Sequence, residues 1–327
     1  MHSASAQIFE RVIPRRDSLM LAFSRIFEDA LLAAPGYEVP QVEAIFEQAV
    51  PALGVRLQTE LPRGWRCRVS GSFVHGGSGR YQAQRADTAA SCEIGDLLVV
   101  VEYRVLGGSS ARSGLLIQAK RGGVSASEPW SDTSGKKQRA LYFERPPFTW
   151  QPTWVGQERQ ADTRSLEPDL AFDDPYWHLL DHWPTILWWS RWRDDRGEVH
   201  AGAVFSVLSI PQPFVVPPYP GVEPRPLAAV CADLMALTGG FWFKSRKDAY
   251  DGGRDLQWSA VVWDLLGASR KREWRGRPDL TSAALLEDEE PLEAAGGGQP
   301  PLDDAKMLSD EQDSGVSVVR IIIDGGE

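Results

Sequence analysis

Cysteine is scarce in this chain of 327 residues: only Cys67, Cys92 and Cys231 occur, and no two of them form a CxxC pair. This scarcity argues against a disulfide framework and against a zinc knuckle, and it favours reduced, mostly buried thiols. His178 and His182 have the spacing that can present two imidazoles to one metal. No Glu-x-x-His arrangement or Cys pair completes that site, so we interpret both as surface or packing residues.

Long hydrophobic runs are also lacking, since none approaches the roughly 20 residues needed to span a bilayer. Residues 1–16 have neither the basic start nor the apolar core of a signal peptide. We therefore expect a cytoplasmic protein that does not interact with membranes. The sequence also contains no Gly-x-Ser-x-Gly elbow, no P-loop and no dinucleotide-binding glycine motif, which argues against several other hydrolase and nucleotide-binding classes.

A basic excess is absent as well, because the formal net charge is −10. Residues 285–327 hold twelve of the 45 acidic residues and only two of the 35 basic ones. The preceding 284 residues therefore carry 33 acids and 33 bases, which leaves a neutral body. Binding of nucleic acid stays possible, although no strongly basic surface is predicted.

The composition is globular, with 43% hydrophobic and 24% charged residues and an unusual thirteen tryptophans. We expect a core at residues 1–150, followed at 151–285 by a Trp-rich region of strands and helices packed on or beside it. Residues 286–315 are acidic and rich in Gly and Pro, which is typical of a disordered linker. Residues 316–327 (VSVVRIIIDGGE) predict a β-strand that joins this subunit or a neighbouring one.

Residues 92–121 are the most informative stretch. Two apolar runs, 97–101 and 115–117, are joined by the turn-rich segment 107–113, which predicts a β-hairpin. Alternation along a strand places Gln118 and Lys120 on one face of their strand. On the neighbouring strand it places Asp96 on the same face as Leu98 and Val100. Such polar groups in a buried sheet are costly unless they pair, bind metal or do chemistry.

An acid on one strand followed by Gln-x-Lys on the next resembles the PD-(D/E)XK nuclease superfamily, in its Mrr-like branch. The matching residues are Asp96, Gln118 and Lys120, and the resemblance covers roughly the first half of the chain. It implies an α/β (α+β) fold with a restriction-endonuclease-like mixed sheet flanked by helices. It also implies a site in which Asp96, Gln118 and the carbonyl of Ala119 bind Mg²⁺ or Mn²⁺, while Lys120 orients a water.

A glutamine in place of the usual acid removes one negative charge, so a further carboxylate is expected at the metal. A helix before the sheet often supplies one in the resembled family, which makes Glu47 and Glu43 candidates. Glu93 is another candidate, although a regular strand would put it on the face opposite Asp96. A bulge or turn at Gly95 would change that. Alternatively, Glu47 and Glu43 are solvated surface charges.

Basic residues that follow the Gln-x-Lys motif are candidates for nucleic-acid contacts. Arg121 comes directly after Lys120, and Lys136, Lys137 and Arg139 lie on a short predicted helix. An ordinary solvated helix face explains the same cluster.

Elsewhere, periodicity predicts helices over 18–33, from about 40 to 50, 227–237 and 255–267. Strands are predicted over 64–74 and 199–210, with a long loop over 75–91. Gly239 and Gly240 predict a left-handed ending for the helix over 227–237.

Together these features predict a metal-dependent endonuclease, acting on DNA more than on RNA, and the resemblance suggests a prokaryotic defence role. A homodimer or a defence-system partner protein would suit cleavage of both strands. The alternative is a catalytically inactive nuclease-like module that binds nucleic acid or a protein partner, and measured metal binding separates the two.

Overall fold

The computed structural model describes the chain in fourteen pieces, and all that follows concerns them. They are residues 8, 10–33, 43–72, 82–88, 90–105, 110–119, 133–150, 163–167, 169, 186–193, 199–206, 225–251, 257–269 and 316–325.

The described strands form one large mixed sheet and one small antiparallel sheet. The strands of the large sheet are β1 (Arg66–Ser72), β4 (Leu97–Val105), β5 (Ser110–Ala119), β7 (Ile186–Arg193), β8 (Val199–Ser206), β9 (Arg225–Pro226), β10 (Phe241–Trp242) and β11 (Ser317–Gly325). Their order in the sheet is β1-β11-β4-β5-β7-β8-β9. The short strand β10 pairs with the first half of β5, and β7 pairs with the second half. The small sheet has the order β3-β2-β6, formed by β2 (Gln82–Arg85), β3 (Ser91–Glu93) and β6 (Phe148–Trp150).

The last strand, β11, lies inside the large sheet rather than at its edge. It runs antiparallel to β1 and parallel to β4, and Ser317 stands opposite Leu97. Its residues from Ser317 to Ile323 are all buried. A run of Val and Ile on both faces is what a strand covered on both sides requires. The sheet that begins at β1 is therefore completed by a strand from the opposite end of the sequence.

Helices cover both faces of the large sheet. They are α1 (Arg16–Ala33), α2 (Val50–Glu60), α3 (Thr133–Glu144), α4 (Leu227–Met235), α5 (Arg246–Asp251) and α6 (Gln257–Ser269). The first face packs against α1, α2 and α4, and Val99, Tyr103 and Ile321 lie in that cluster. The second face packs against α6 and the small sheet, with Leu98 and Leu116 in the cluster.

An ion pair and a tyrosine hydrogen bond hold the helices of the first face to each other and to the sheet. Arg16 of α1 pairs with Asp233 of α4, whose side chain is buried. The hydroxyl of Tyr103 donates to the carbonyl of Met235, which ties β4 to the end of α4. Each contact satisfies a polar group that would be costly to bury alone.

The predicted mixed α/β class is confirmed: a mixed, mostly antiparallel sheet is flanked by helices. Several local predictions differ from the structure. The expected loop over 75–91 contains β2, and β5 begins at Ser110 within the segment assigned to the hairpin turn. The second predicted helix continues to Glu60, because Pro51 falls in the first turn of α2, where a missing N–H is tolerated.

The ending of α4 is left-handed, but not at the first glycine. Leu237 has φ 55°, and Gly240 has φ 72°. Leu237 is fully buried, and its backbone holds a left-handed conformation that L-residues adopt only at a cost. A Cβ at Gly240 would lie 2.4 Å from Leu234 Cδ1, which explains why that position is glycine.

Among the described helices, none combines the length and the apolar composition needed to cross a membrane.

Candidate functional site

Asp96 lies in the short break between β3 and β4, where its backbone is held on both sides. Its N–H donates to the carbonyl of Ile117 in β5 over 3.0 Å, and its carbonyl accepts from the N–H of Ser317 in β11 over 3.1 Å. Gly95 is buried, and a Cβ there would lie 3.2 Å from Leu116 Cδ2. A small residue therefore lets the chain turn closely over β5 and places a half-buried acid at the end of the sheet.

The ladder between β4 and β5 ends at Leu97 and Ile117, just after Asp96 and just before Gln118. The N–H of Asp96 donates to the carbonyl of the same Ile117, so Asp96 lies next to the residue that precedes Gln118. Leu98 and Leu116 both lie in the cluster under α6. The backbone thus brings the acid and the glutamine of the predicted motif to one end of the sheet.

Glu93 ends β3, which belongs to the small sheet and not to β4. Three residues separate the two strands, so the regular strand that would oppose Glu93 to Asp96 is not present. The break falls at Gly95 and Asp96, where the sequence allowed for a turn. Glu93 is half-buried and precedes Asp96 by three residues in the sequence.

The helix α3 packs against this segment. Gln138 is only 1% exposed, and its Nε2 donates to the carbonyl of Glu93 at 3.4 Å. Burial raises the pKa of the Cys92 thiol to about 11, an increase that the positive charges of Lys137 and Arg85 partly offset. Lys137 therefore lies near β3 while its side chain is exposed. A cation beside an otherwise buried segment can meet a phosphate at the rim of the site.

Glu47 lies in a π-helical turn, Ile45–Ala49, that leads into α2. Its neighbour Phe46 packs so tightly on Gly71 that a Cβ there would lie 2.8 Å from the ring. Gly71 pairs with Val319 and therefore lies toward the end of the sheet where Asp96 is found. Glu47 is exposed and belongs to the helix layer on the first face, whereas Leu98 and Leu116 face the other layer.

The remaining predicted site residues divide into three groups. Lys136 is exposed on α3, and Arg139 lies in α3. Ala119 is the last residue of β5 and pairs with Trp189 of β7. Lys120, Arg121, His178, His182 and the predicted linker lie outside the described residues.

The donor types predicted for a metal are a carboxylate, an amide oxygen and a main-chain carbonyl, which are the hard oxygen ligands that Mg²⁺ takes. Within the described part of the chain, no three His, Cys, Asp or Glu side chains come together as a metal site. Asp96 is the carboxylate of that predicted ligand set.

A buried ionic cluster occupies the other end of β4. Glu102 is 2% exposed, and its Oε1 lies 3.1 Å from both Arg104 Nε and Arg112 Nη2. Its Oε2 accepts from Arg320 of β11, which is 1% exposed. Burial alone would raise the pKa of Glu102, but attraction to Arg320, Arg112 and Arg104 outweighs it and lowers the pKa to about 2. Three strands are joined through this one carboxylate.

Two further buried acids hold α6 in place. Asp264 accepts hydrogen bonds from Trp150 Nε1 at 2.8 Å, Arg164 Nε at 2.7 Å and the hydroxyl of Tyr250 at 2.9 Å. Asp169 accepts from the N–H and the hydroxyl of Ser259, near the N-terminus of α6. These contacts anchor the helix that covers the second face, and they have a structural role.

Sequence reasoning missed the ionic cluster around Glu102, although a signal was present. Glu102 and Arg320 each place a charge inside a largely apolar strand, and a buried acid requires a buried base. Their partnership could not be read from a sequence in which they lie far apart.

No protein-family model matches the chain, and no curated protein or solved structure shows significant similarity to it.

Proposed function

We propose that this protein is a metal-dependent nuclease of the PD-(D/E)XK type, which hydrolyses phosphodiester bonds, in DNA more than in RNA. The observation that carries the proposal is the hydrogen bond from the N–H of Asp96 to the carbonyl of Ile117, which holds this acid beside the residue that precedes Gln118, at one end of a mixed sheet. Lys120 follows Gln118 by two residues in the sequence and supplies the amine of the resembled motif. A role in prokaryotic defence against foreign DNA rests on the resemblance alone.

In the proposed site, Asp96 and Gln118 hold a Mg²⁺ or Mn²⁺ ion through side-chain oxygens, and Ala119 adds its carbonyl. When bound, such an ion would supply Lewis-acid chemistry, polarising the phosphate and lowering the pKa of a water. Lys120 orients the attacking water and stabilises the negative charge that develops on the phosphate. Glu93 is the candidate for a second carboxylate that lies nearest to Asp96 in the chain, and Glu47 is the candidate from the opposite helix layer.

A second candidate function is a nuclease-like module that binds nucleic acid or a protein partner without cutting. One observation favours it: the described residues contain no three-residue group of His, Cys, Asp or Glu at the sheet end. In that case Gln118 and Lys120 form a structural hydrogen-bonded pair, and Lys136 and Lys137 contribute contacts to a polyanion.

The test is cleavage of plasmid, single-stranded DNA and RNA by the full chain with Mg²⁺ or Mn²⁺. Asp96→Asn keeps the shape of the side chain and removes its charge, and Asp17→Asn is the matched control because that carboxylate is 91% exposed on α1. We expect metal-dependent cleavage that is lost in Asp96→Asn and in Lys120→Ala and retained in Asp17→Asn. Calorimetry should show weaker Mn²⁺ binding for Asp96→Asn only.

Cleavage that survives Asp96→Asn would reject the proposed site. A full chain that neither cuts any substrate nor binds Mg²⁺ or Mn²⁺, but retains a nucleic-acid or protein ligand, would establish the binding module instead.

A further inference from the structure

The strand β11 is apolar on both faces, so its hydrophobic pattern does not define its register. Val318 packs under α6, whereas Val319, Ile321 and Ile323 pack under the helices of the first face. A shift of the strand by two residues would again place aliphatic side chains on both faces. Register is well specified by pattern only where one face is polar.

The buried side chain that breaks this uniformity is Arg320. Its guanidinium donates to Glu102 and lies 5.8 Å from the centre of the Trp263 ring. Arg320 itself stands opposite Val100, so the contact with Glu102 is diagonal and depends on the offset between β11 and β4. A buried ion pair adds little net stability, but it can specify register.

A two-residue shift would move the guanidinium by about 6.6 Å along the strand. In one direction Arg320 would come opposite Leu98, within the apolar cluster under α6, and Asp324 would come opposite Glu102. A buried cation without its partner and two facing carboxylates are both strongly unfavourable. In the other direction Arg320 would come directly opposite Glu102, so the ion pair could persist, but the guanidinium would leave the ring of Trp263.

We propose that Arg320 is a positioning residue: its contacts with Glu102 and Trp263 set the register of β11 and thereby place Ser317 beside Asp96. In the observed register the N–H of Ser317 meets the carbonyl of Asp96 at 3.1 Å. A shift by two residues preserves the hydrogen-bond pattern of the ladder, so the N–H of a different residue would then meet this carbonyl. The contacts of Arg320 thus decide which side chain lies beside the turn that carries the carboxylate.

The register can be measured in the full chain through a thiol that is already present. Cys67 of β1 stands opposite Ile323 in the antiparallel pair. Opposite residues in such a pair have Cα atoms about 4.5–5.5 Å apart, which a disulfide can bridge, whereas a two-residue offset exceeds its reach. Ile323→Cys therefore reports the observed register, and Ile321→Cys and Gly325→Cys report the two shifted ones.

The comparison is made with Arg320 unchanged, with Arg320→Leu and with Arg320→Lys. Arg320→Leu should still fold, because Glu102 keeps Arg104 and Arg112 as partners. After mild oxidation, peptide mass spectrometry identifies the thiol to which Cys67 is linked. With Arg320 unchanged, we expect Cys67 to form a disulfide with a cysteine introduced at position 323 and not with one at position 321 or 325. In Arg320→Leu, Cys67 should instead pair with the cysteine at position 321 or 325. In Arg320→Lys, it should again pair with the cysteine at position 323.

A disulfide confined to position 323 in Arg320→Leu would overturn the proposal. The crosslink does not depend on nuclease activity, so its outcome is separate from that of the proposed function. The consequence for catalysis does rest on the proposed function: if the chain cuts DNA, Arg320→Leu should lose cleavage and Mn²⁺ affinity together, and Arg320→Lys should recover both. Cleavage at the original rate in a chain with shifted crosslinks would reject the link to Asp96.

Discussion

The N–H of Ser317 donates to the carbonyl of Asp96, and through this bond the last strand of the sheet holds the candidate catalytic acid. The contact joins two residues that lie far apart in the sequence. The stability of β11 and the geometry of the candidate site are therefore properties of one sheet.

Truncation of a β11 side chain should destabilise the whole fold. Ile323 is fully buried in the cluster under α1 and α2, so Ile323→Ala should lower the free energy of unfolding by about 2–5 kcal/mol. Val55→Ala is the control, because Val55 is 74% exposed and its loss should change stability by less than about 0.5 kcal/mol. Urea unfolding followed by tryptophan fluorescence measures both. Equal effects for the two variants would mean that β11 is not part of the core.

Removing the carboxylate of Glu102 should be severe, since it leaves Arg104, Arg112 and Arg320 facing one another. We expect Glu102→Gln to cost about 3–5 kcal/mol of unfolding free energy. The control Glu60→Gln breaks a surface pair with Arg56 at 2.8 Å and should cost about 0.3–0.5 kcal/mol. Chemical denaturation at pH 7 compares them, and a loss below that of the control would contradict the assigned pairing.

The same group predicts a dependence on pH. The pKa of Glu102 is lowered from its ordinary 4.5 to about 2 in the folded protein, so its stabilisation is complete above pH 4.5 and is lost as the pH falls towards 2. Unfolding free energies measured from pH 5 to pH 2 should fall more steeply for the unmodified chain than for Glu102→Gln. Parallel profiles would be inconsistent with a carboxylate held ionised by the three arginines.

Asp169 should have the opposite sign. Burial raises its pKa from 3.8 to about 6, despite the hydrogen bonds from Ser259 that favour the charged form. A raised pKa contributes stability that is present below pH 3.8 and is lost as the pH rises through 6. Asp169→Asn keeps an acceptor for Ser259 and does not titrate. The stability of the unmodified chain relative to this variant should therefore decrease between pH 4 and 7, by up to about 3 kcal/mol. Thermal unfolding across that range measures the difference, and an increase would refute the assignment.

Two glycines should respond oppositely to alanine. A Cβ on Gly71 would meet the ring of Phe46 at 2.8 Å, so Gly71→Ala should destabilise by about 1–3 kcal/mol. A Cβ on Gly267 in α6 would meet nothing within 4 Å, so Gly267→Ala should stabilise the helix by about 0.5–1 kcal/mol. Melting temperatures that move in opposite directions are the expected result. A neutral Gly71→Ala would show that the turn bearing Glu47 is not packed closely on β1.

Lys137 tests the proposed nucleic-acid contact separately from catalysis. If it meets a phosphate, Lys137→Gln should weaken DNA binding and reduce the slope of log K against log salt by about 0.9. Lys247→Gln, which removes an exposed lysine of α5, should leave the slope unchanged. Fluorescence anisotropy with a labelled duplex at several salt concentrations measures the slope. The same change in both variants would indicate nonspecific attraction.

Local sequence determined the elements whose signals are contained within a few residues. The periodicity of Leu19, Phe23 and Phe27 predicted α1, and the Val-rich and Leu-rich runs predicted the strands that became β4 and β5. The residue spacing also predicted that Asp96 and Gln118 lie at adjacent strand ends, and the bond from the N–H of Asp96 to Ile117 holds the acid beside the end of β5. The mixed class was implied by the resemblance to the PD-(D/E)XK nucleases.

The tertiary structure alone decided where β11 lies and what Glu102 binds. A strand that is apolar on both faces fits the middle of any sheet, and the sequence left open whether it joined its own subunit. Only the folded sheet sets Arg320 within reach of Glu102 and Ser317 against Asp96, since both contacts join residues that are remote in the chain. Long-range pairing depends on the packing of the whole molecule, and local propensity carries no information about it.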